Sequence, residues 1–267
     1  MNDVVTACAA VLTDADASAA LLDAIPAFVA AEAAYIEQGE AQQLFSIAGT
    51  ATVNGVLTRK QMSRLYKGTF ARKGSSVRTT FYDRLKVSAP HGICPSCGER
   101  NVASLDHYLP KKLHPAFAVT PVNLVPCCSD CNKAKAATEA EAAEDQFLHP
   151  YFDEVDDGVW LKAELLPGEP PALVFRADPP QAWDAIKRAR IANHFDLLGL
   201  SELFTALGGR LITDIAHRVS RLRDQGGPDA VRDYLNEEAE TRREVVTNSW
   251  QIAAYEALSQ SDEYCDG

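Results

Sequence analysis

The sequence predicts an α+β protein: a small metal-bearing centre carried between mainly helical N- and C-terminal regions. Three observations lead there. Four cysteines form two C-x-x-C pairs in mid-chain, Cys94/Cys97 and Cys128/Cys131. Short β-prone runs lie nearby, at 102–108 and 122–125. Stretches with helical spacing of apolar residues, many alanine-rich, occupy both flanks. The 267 residues, 46% hydrophobic and 24% charged, suffice for one large domain or two ordinary ones and exclude a disordered or collagen-like chain.

Residues 4–12 are alanine-rich and apolar and predict a first helix. A short second helix is expected over 18–24, and Pro26 suits the first turn of a third, reaching 37. Thr58 followed by Gln61 matches a capping box opening a basic helix over 58–66. Gly68 and Arg72-Lys73-Gly74-Ser75 are expected to break it, with a further helix over 76–86. Beyond the β-prone pieces, the strong helix formers of 133–145 predict a helix. Residues 159–165 and 172–175, separated by Pro167-Gly168-Glu169-Pro170-Pro171, predict a hairpin. Trp183, Ile186, Phe195 and Leu198 fall broadly on one face of a helix from 181. A short helix opens at Leu200 and another covers 210–223. Gly226-Gly227-Pro228 punctuates the chain, and a last helix is expected to carry Val231, Leu235, Val246, Trp250 and Leu258 as core contacts. Three regions result: 1–90, helical with a basic segment at 59–86; 91–150, the metal-bearing core; and 151–267, a hairpin plus helices.

No run approaches the ~18 apolar residues of a membrane span. The first stretch lacks a basic n-region and carries three aspartates by position 16, unlike a signal peptide. Seven cysteines are too few for a disulfide scaffold at this length, and a reducing, cytoplasmic compartment is expected. The net charge of −11 argues against a polyanionic partner only until it is divided. Residues 1–58 hold 7 acids and no Lys or Arg, 59–135 hold 14 Lys and Arg against 4 acids, and 136–267 hold 12 against 26. Polyanion binding follows the local field, so the basic middle is a candidate nucleic-acid surface.

Paired C-x-x-C knuckles in such a chain read as a structural zinc site. Two thiolates three positions apart grip one face of a tetrahedral ion, and a second pair closes the other. A 30-residue loop separates Cys97 from Cys128. A zinc clip across its ends would make metal binding part of folding.

Between the knuckles stand Leu105-Asp106-His107-Tyr108-Leu109-Pro110-Lys111 and Pro121-Val122-Asn123-Leu124-Val125-Pro126. The second knuckle runs into Cys128-Ser129-Asp130-Cys131-Asn132-Lys133-Ala134-Lys135. Taken together, residues 94–135 resemble the HNH nuclease family, whose catalytic core is a β-hairpin plus helix (ββα) clasping one metal ion. The resemblance implies phosphodiester hydrolysis. His107 would be the general base, since a neutral imidazole takes a proton from water near physiological pH. Asp106 and Asn132 would supply oxygen ligands to a hard cation, Mg²⁺ or Mn²⁺. Asn123 would brace the loop and orient the histidine. Asn132 stands where many members carry His. Lys111, Lys135, Arg72 and Lys73 are the candidates for phosphate contact. Two metals with distinct roles are expected, zinc for structure and the second for catalysis.

Cys127 breaks the C-x-x-C spacing and is expected to be a packed thiol; Cys8 and Cys265 lack any partner pattern. His114 reads as structural or near the phosphate, and His149 as packing the core helix or as functional; His194 and His217 read as scaffold. The segment from His149 to Phe204 is similar to stand-alone bacterial HNH proteins of anti-phage systems, the Septu and retron-associated kind, and implies an ATPase partner. Three functional readings follow: a DNA endonuclease, a non-catalytic zinc-ribbon nucleic-acid-binding module, and an adaptor.

Overall fold

The computed structural model describes residues 1–267 except Ala137. The protein is α+β, with helices and two-stranded antiparallel sheets, and divides into two compact units, Met1–Asp153 and Glu154–Gly267. Residues 1–90 and 91–150 therefore share one unit.

The first unit begins with α1 (Asn2–Ala10), α2 (Ala15–Asp23) and α3 (Ile25–Glu40). Asp14 caps α2 by accepting from Ala17 N at 3.1 Å. Pro26 sits in the first turn of α3, where its missing N–H loses no bond. Val5, Cys8 and Phe28 join Phe70, Val77 and Leu124 in one buried apolar core. A small hairpin, β1 (Thr52–Val53) and β2 (Leu57–Thr58), leads into α4 (Arg59–Leu65). The capping box forms: Gln61 N donates to Thr58 Oγ1 at 3.3 Å, and Thr58 N to Gln61 Oε1 at 2.9 Å.

The basic helix does not break at Gly68. It continues as a π-helical turn, Tyr66–Phe70, closed by Ala71 N donating to Tyr66 O at 2.8 Å. A second π-helical turn, Arg78–Tyr82, leads into α5 (Asp83–Lys86). Phe70 touches both Tyr66 and Tyr82, at ring separations of 5.8 and 6.2 Å, so burial of aromatic rings holds both turns wide.

β3 (Ser104–His107) pairs antiparallel with β4 (Leu124–Cys127), setting Asp106 opposite Val125 and His107 opposite Leu124. α6 (Ser129–Lys135) follows at once, N-capped by Cys128. The helix expected over 133–145 does not form. α6 ends at Lys135, Ala136 turns away at φ 50°, and 138–145 holds no helix; position 137 lies outside the described residues. Alanine propensity alone gives no apolar stripe to pack, and packing supplies most helix stability.

In the second unit, β5 (Leu161–Leu166) and β6 (Ala172–Ala177) form the expected hairpin, Leu161 opposite Ala177 and Leu166 opposite Ala172. α7 (Ala185–Leu197) is capped by Asp184, which accepts from Lys187 N at 2.9 Å. α8 (Leu200–Arg243) lies close on β6: a Cβ at Gly208 would stand 3.1 Å from Leu173 and 3.2 Å from Phe175. Gly226-Gly227-Pro228 marks a kink inside α8, where Gly227 takes φ 71°.

The long last helix divides, with α9 (Trp250–Ser259) and α10 (Asp262–Asp266) as separate elements. The break falls at Asn248. Its Oδ1 accepts from Trp160 N and Leu161 N at 2.8 and 3.2 Å, while Nδ2 donates to Val155 O and Gly158 O at 3.2 and 2.9 Å. An amide so engaged with distant backbone competes with helix continuation. No single helix among the described residues is long and apolar enough to cross a membrane.

Candidate functional site

The Sγ atoms of Cys94, Cys97, Cys128 and Cys131 all lie within 4.8 Å of one another, and all four residues are buried. A tetrahedral zinc with bonds of ~2.3 Å needs sulfurs about 3.8 Å apart, so the cluster is compatible with a structural zinc site. Backbone supports it on both sides. Arg100 N donates to Cys97 Sγ at 3.4 Å, and Cys131 N to Cys128 Sγ at 3.3 Å. Such bonds spread thiolate charge. The Cys94 thiol is held far below its ordinary range by hydrogen bonds from Cys127, Cys131 and Cys97, which outweigh burial. Cys127 is buried and lies outside the four-sulfur group.

The cluster joins the start of the β3 hairpin to α6 and so fixes what the two present to each other. Residues alternate across a strand, so Ser104 and Asp106 share one face of β3 and Leu105 and His107 the other. The first face meets α6 in two rungs. Asn132 Nδ2 donates to Ser104 Oγ at 3.0 Å, and Lys135 Nζ meets Asp106 Oδ2 at 2.9 Å. Asn132 and Lys135 are one helical turn apart, which matches two steps of strand. Burial raises the Asp106 carboxyl, opposed first by the Lys135 charge. Burial likewise lowers Lys135, opposed by Asp106.

Lys135 departs from expectation. As a phosphate contact it should face solvent, yet it is 3% exposed and also donates to His107 O at 2.6 Å. Its aliphatic stem carries the ammonium inward, where a carboxylate and a carbonyl replace water. Arg72 and Lys73 are exposed, in the turn after the first π-helical segment, and Lys111 is half-buried.

On the other face, His107 is buried, with Nε2 2.9 Å from Ala118 O. A carbonyl only accepts, so Nε2 carries the proton and Nδ1 holds the lone pair. Lys111 Nζ stands 3.4 Å from Nδ1. The Tyr66 ring packs edge-on against the imidazole at 4.4 Å, and Lys111 sits 5.0 Å above the Tyr66 ring. Burial, then the Lys111 charge, pushes His107 down to about 3, so the imidazole is neutral at physiological pH.

Asn123, fully buried, ties the intervening loop together. Its Oδ1 accepts from Leu109 N at 2.7 Å, and Nδ2 donates to Leu109 O and Phe117 O at 3.0 and 3.1 Å. That loop delivers Ala118 O to His107. His149 is built into packing: it accepts from Tyr151 N at Nδ1 (3.1 Å), and its Nε2 meets Tyr35 Oη at 3.1 Å. His114 is buried and pairs with Glu139.

Sequence reasoning missed three participants. Tyr66 comes from the end of the basic helix, where the π-helical turn begins, and its ring reaches His107. Ser104 and the Ala118 carbonyl carry no motif signal, since a serine in a strand and a backbone oxygen look ordinary.

No family model matches the chain, and no solved structure matches it. The chain is similar to Protein ea31 of Escherichia phage lambda, 28% identical over 262 residues, covering 91% of this chain and 88% of that relative.

Proposed function

We propose that the protein is a metal-dependent endonuclease of the HNH type, hydrolysing phosphodiester bonds of DNA. One observation carries the reading: the hairpin holds a neutral His107, its Nε2–H fixed on Ala118 O, on one face of β3, while its neighbour Asp106 faces the helical turn of Asn132 and Lys135 from the other. A zinc-ribbon scaffold has no need of that arrangement. A general base needs an unprotonated nitrogen held in one orientation, and Nδ1, which Lys111 Nζ approaches at 3.4 Å, is that nitrogen.

The donor chemistry fits a hard cation. Asp106 offers a carboxylate, and Asn132, donating through Nδ2, keeps Oδ1 as an acceptor. A divalent cation there would supply positive charge at the scissile phosphate and the leaving 3′ oxygen. The chain's own groups do the rest. Nδ1 of His107 takes the proton of the attacking water. Lys111 must leave Nδ1 to admit that water, and a phosphate is the natural destination of its ammonium. Tyr66 and Ala118 keep the ring from turning.

The Asp106–Lys135 pair favours a second reading, a non-catalytic zinc-ribbon nucleic-acid-binding module, because the carboxylate already has a counter-charge. Plasmid cleavage separates the two. Zinc-loaded protein is expected to nick or linearise plasmid with Mg²⁺ or Mn²⁺ and to stop with EDTA. A folded, zinc-loaded protein that binds DNA and never cuts it, with or without a partner, would establish the module instead. Action in conflict between phage and host fits the phage origin of the similar protein. An ATPase partner in anti-phage defence rests on the resemblance of the segment after the core.

DNA contact beginning at the exposed turn gives a further expectation. Reversing Arg72 and Lys73 to Glu should weaken DNA binding and lower the slope of log affinity against log salt by up to ~2, since each phosphate contact contributes about 0.9. Zinc content should not change. Equal affinity at every salt concentration would move the binding surface elsewhere.

A further inference from the structure

The ammonium of Lys135 is held inside the protein. Two oxygens hold it, Asp106 Oδ2 at 2.9 Å and His107 O at 2.6 Å, and the rings of Phe147 and Tyr108 lie 5.0 and 5.6 Å away. A lysine on a short helix ordinarily runs its charge out to water. Here the stem turns in, and the charge sits on the carboxylate that the nuclease reading gives to a divalent cation. Two cations on one carboxylate repel strongly in so dry a setting, so either excludes the other.

We infer that Lys135 is an exchangeable internal counter-ion: its ammonium fills the cation position at Asp106, and a divalent cation enters only by displacing it. The inference rests on the reading of Asp106 as a cation ligand. A displaced ammonium, still tethered one turn from Asn132, needs a new anion, and the phosphate of a bound nucleic acid supplies one. Cation and nucleic acid then help each other bind, by the same factor in both directions. Alone, the site holds the cation weakly; on DNA it holds it well. The arrangement would keep the enzyme silent off its substrate.

The test is Mn²⁺ binding to zinc-loaded protein, by calorimetry, with and without a short phosphorothioate duplex that resists cleavage. Lys135→Gln keeps a donor for the His107 carbonyl, Lys135→Met keeps the apolar stem, and zinc content and circular dichroism report their folding. Free of DNA, Lys135→Gln is expected to bind Mn²⁺ at least tenfold more tightly than the parent protein. The duplex should tighten binding by the parent and leave Lys135→Gln nearly unmoved. If Lys135→Gln binds no better than the parent while Asp106→Asn weakens both, the counter-ion role is wrong and the cation site stands. If Asp106→Asn changes nothing, or no protein binds Mn²⁺, Asp106 is not a ligand and both readings fall. Should the lysine variants fail to fold, the parent protein still decides: saturating Mn²⁺ without the duplex must turn Lys135 Nζ out to water and make it reactive to an amine-acylating reagent, read by mass spectrometry after quenching. Protection that persists at saturating Mn²⁺ overturns the exchange.

Discussion

Cys94→Ser is expected to strip the zinc from the protein and unfold the first unit. Serine is nearly isosteric, so little packing is lost at this fully buried position. What goes is one of the four sulfurs that can hold the ion. Structural zinc contributes about 10–16 kcal/mol to the folding of small zinc domains at pH 7. Whole domains are stable by roughly 5–15 kcal/mol. Losing even half of the zinc contribution, about 5–8 kcal/mol, is therefore comparable to the whole margin of an ordinary unit. Elemental analysis and urea unfolding measure both quantities, and they should fall together. A Cys94→Ser protein that keeps its zinc and its unfolding midpoint would show that the cluster is a packed set of thiols.

His107→Ala is expected to slow plasmid cleavage by about 10²-fold, the low end of a general base's contribution, because an imidazole held near 3 is a weak base. Zinc content should be unaffected, because His107 lies on the face of β3 that points away from α6. Asp106-dependent Mn²⁺ binding should survive as well. The pH profile provides a second readout. With His107 pushed down to about 3, the neutral imidazole prevails from pH 5 to 8, and cleavage should show no ionisation near 6.5. A nearby cation acts in the same direction. A rate that falls tenfold per unit below pH 6.5 would mean that the imidazole titrates as an exposed one. Cleavage by His107→Ala at the parental rate would remove it from the chemistry.

The cysteine spacing predicted the four-sulfur cluster because a tetrahedral ion leaves few alternatives for two C-x-x-C pairs. The Thr58/Gln61 cap and the 159–175 hairpin were legible for a similar reason, since each is specified by neighbours in sequence. The failures share the opposite cause. Alanines over 133–145 favour a helix locally, but nothing in the sequence says that the stretch would lack a surface to pack on. The break before Trp250 depends on what Asn248 meets some 90 residues away in sequence. Lys135 reads as one more basic residue in a basic segment; only the placement of β3 over α6 turns it inward. Adjacent motif residues, Asp106 and His107, read as one site, whereas strand alternation sends them to opposite faces with different partners.

The π-helical turn at Tyr66–Phe70 has a genealogical consequence. Such a turn is what a helix becomes when it gains one residue and keeps its ends in place. Removing one residue between Tyr66 and Phe70 would therefore let the segment relax to ordinary helix without turning its ends, because the bond from Ala71 N to Tyr66 O would become the usual one of an α-helix. The pairing of Tyr66 with His107 and the docking of Phe70 on Tyr82 would both survive that loss. A single-residue gap at this point in an alignment is therefore one that a related chain can carry while keeping the tyrosine over the histidine.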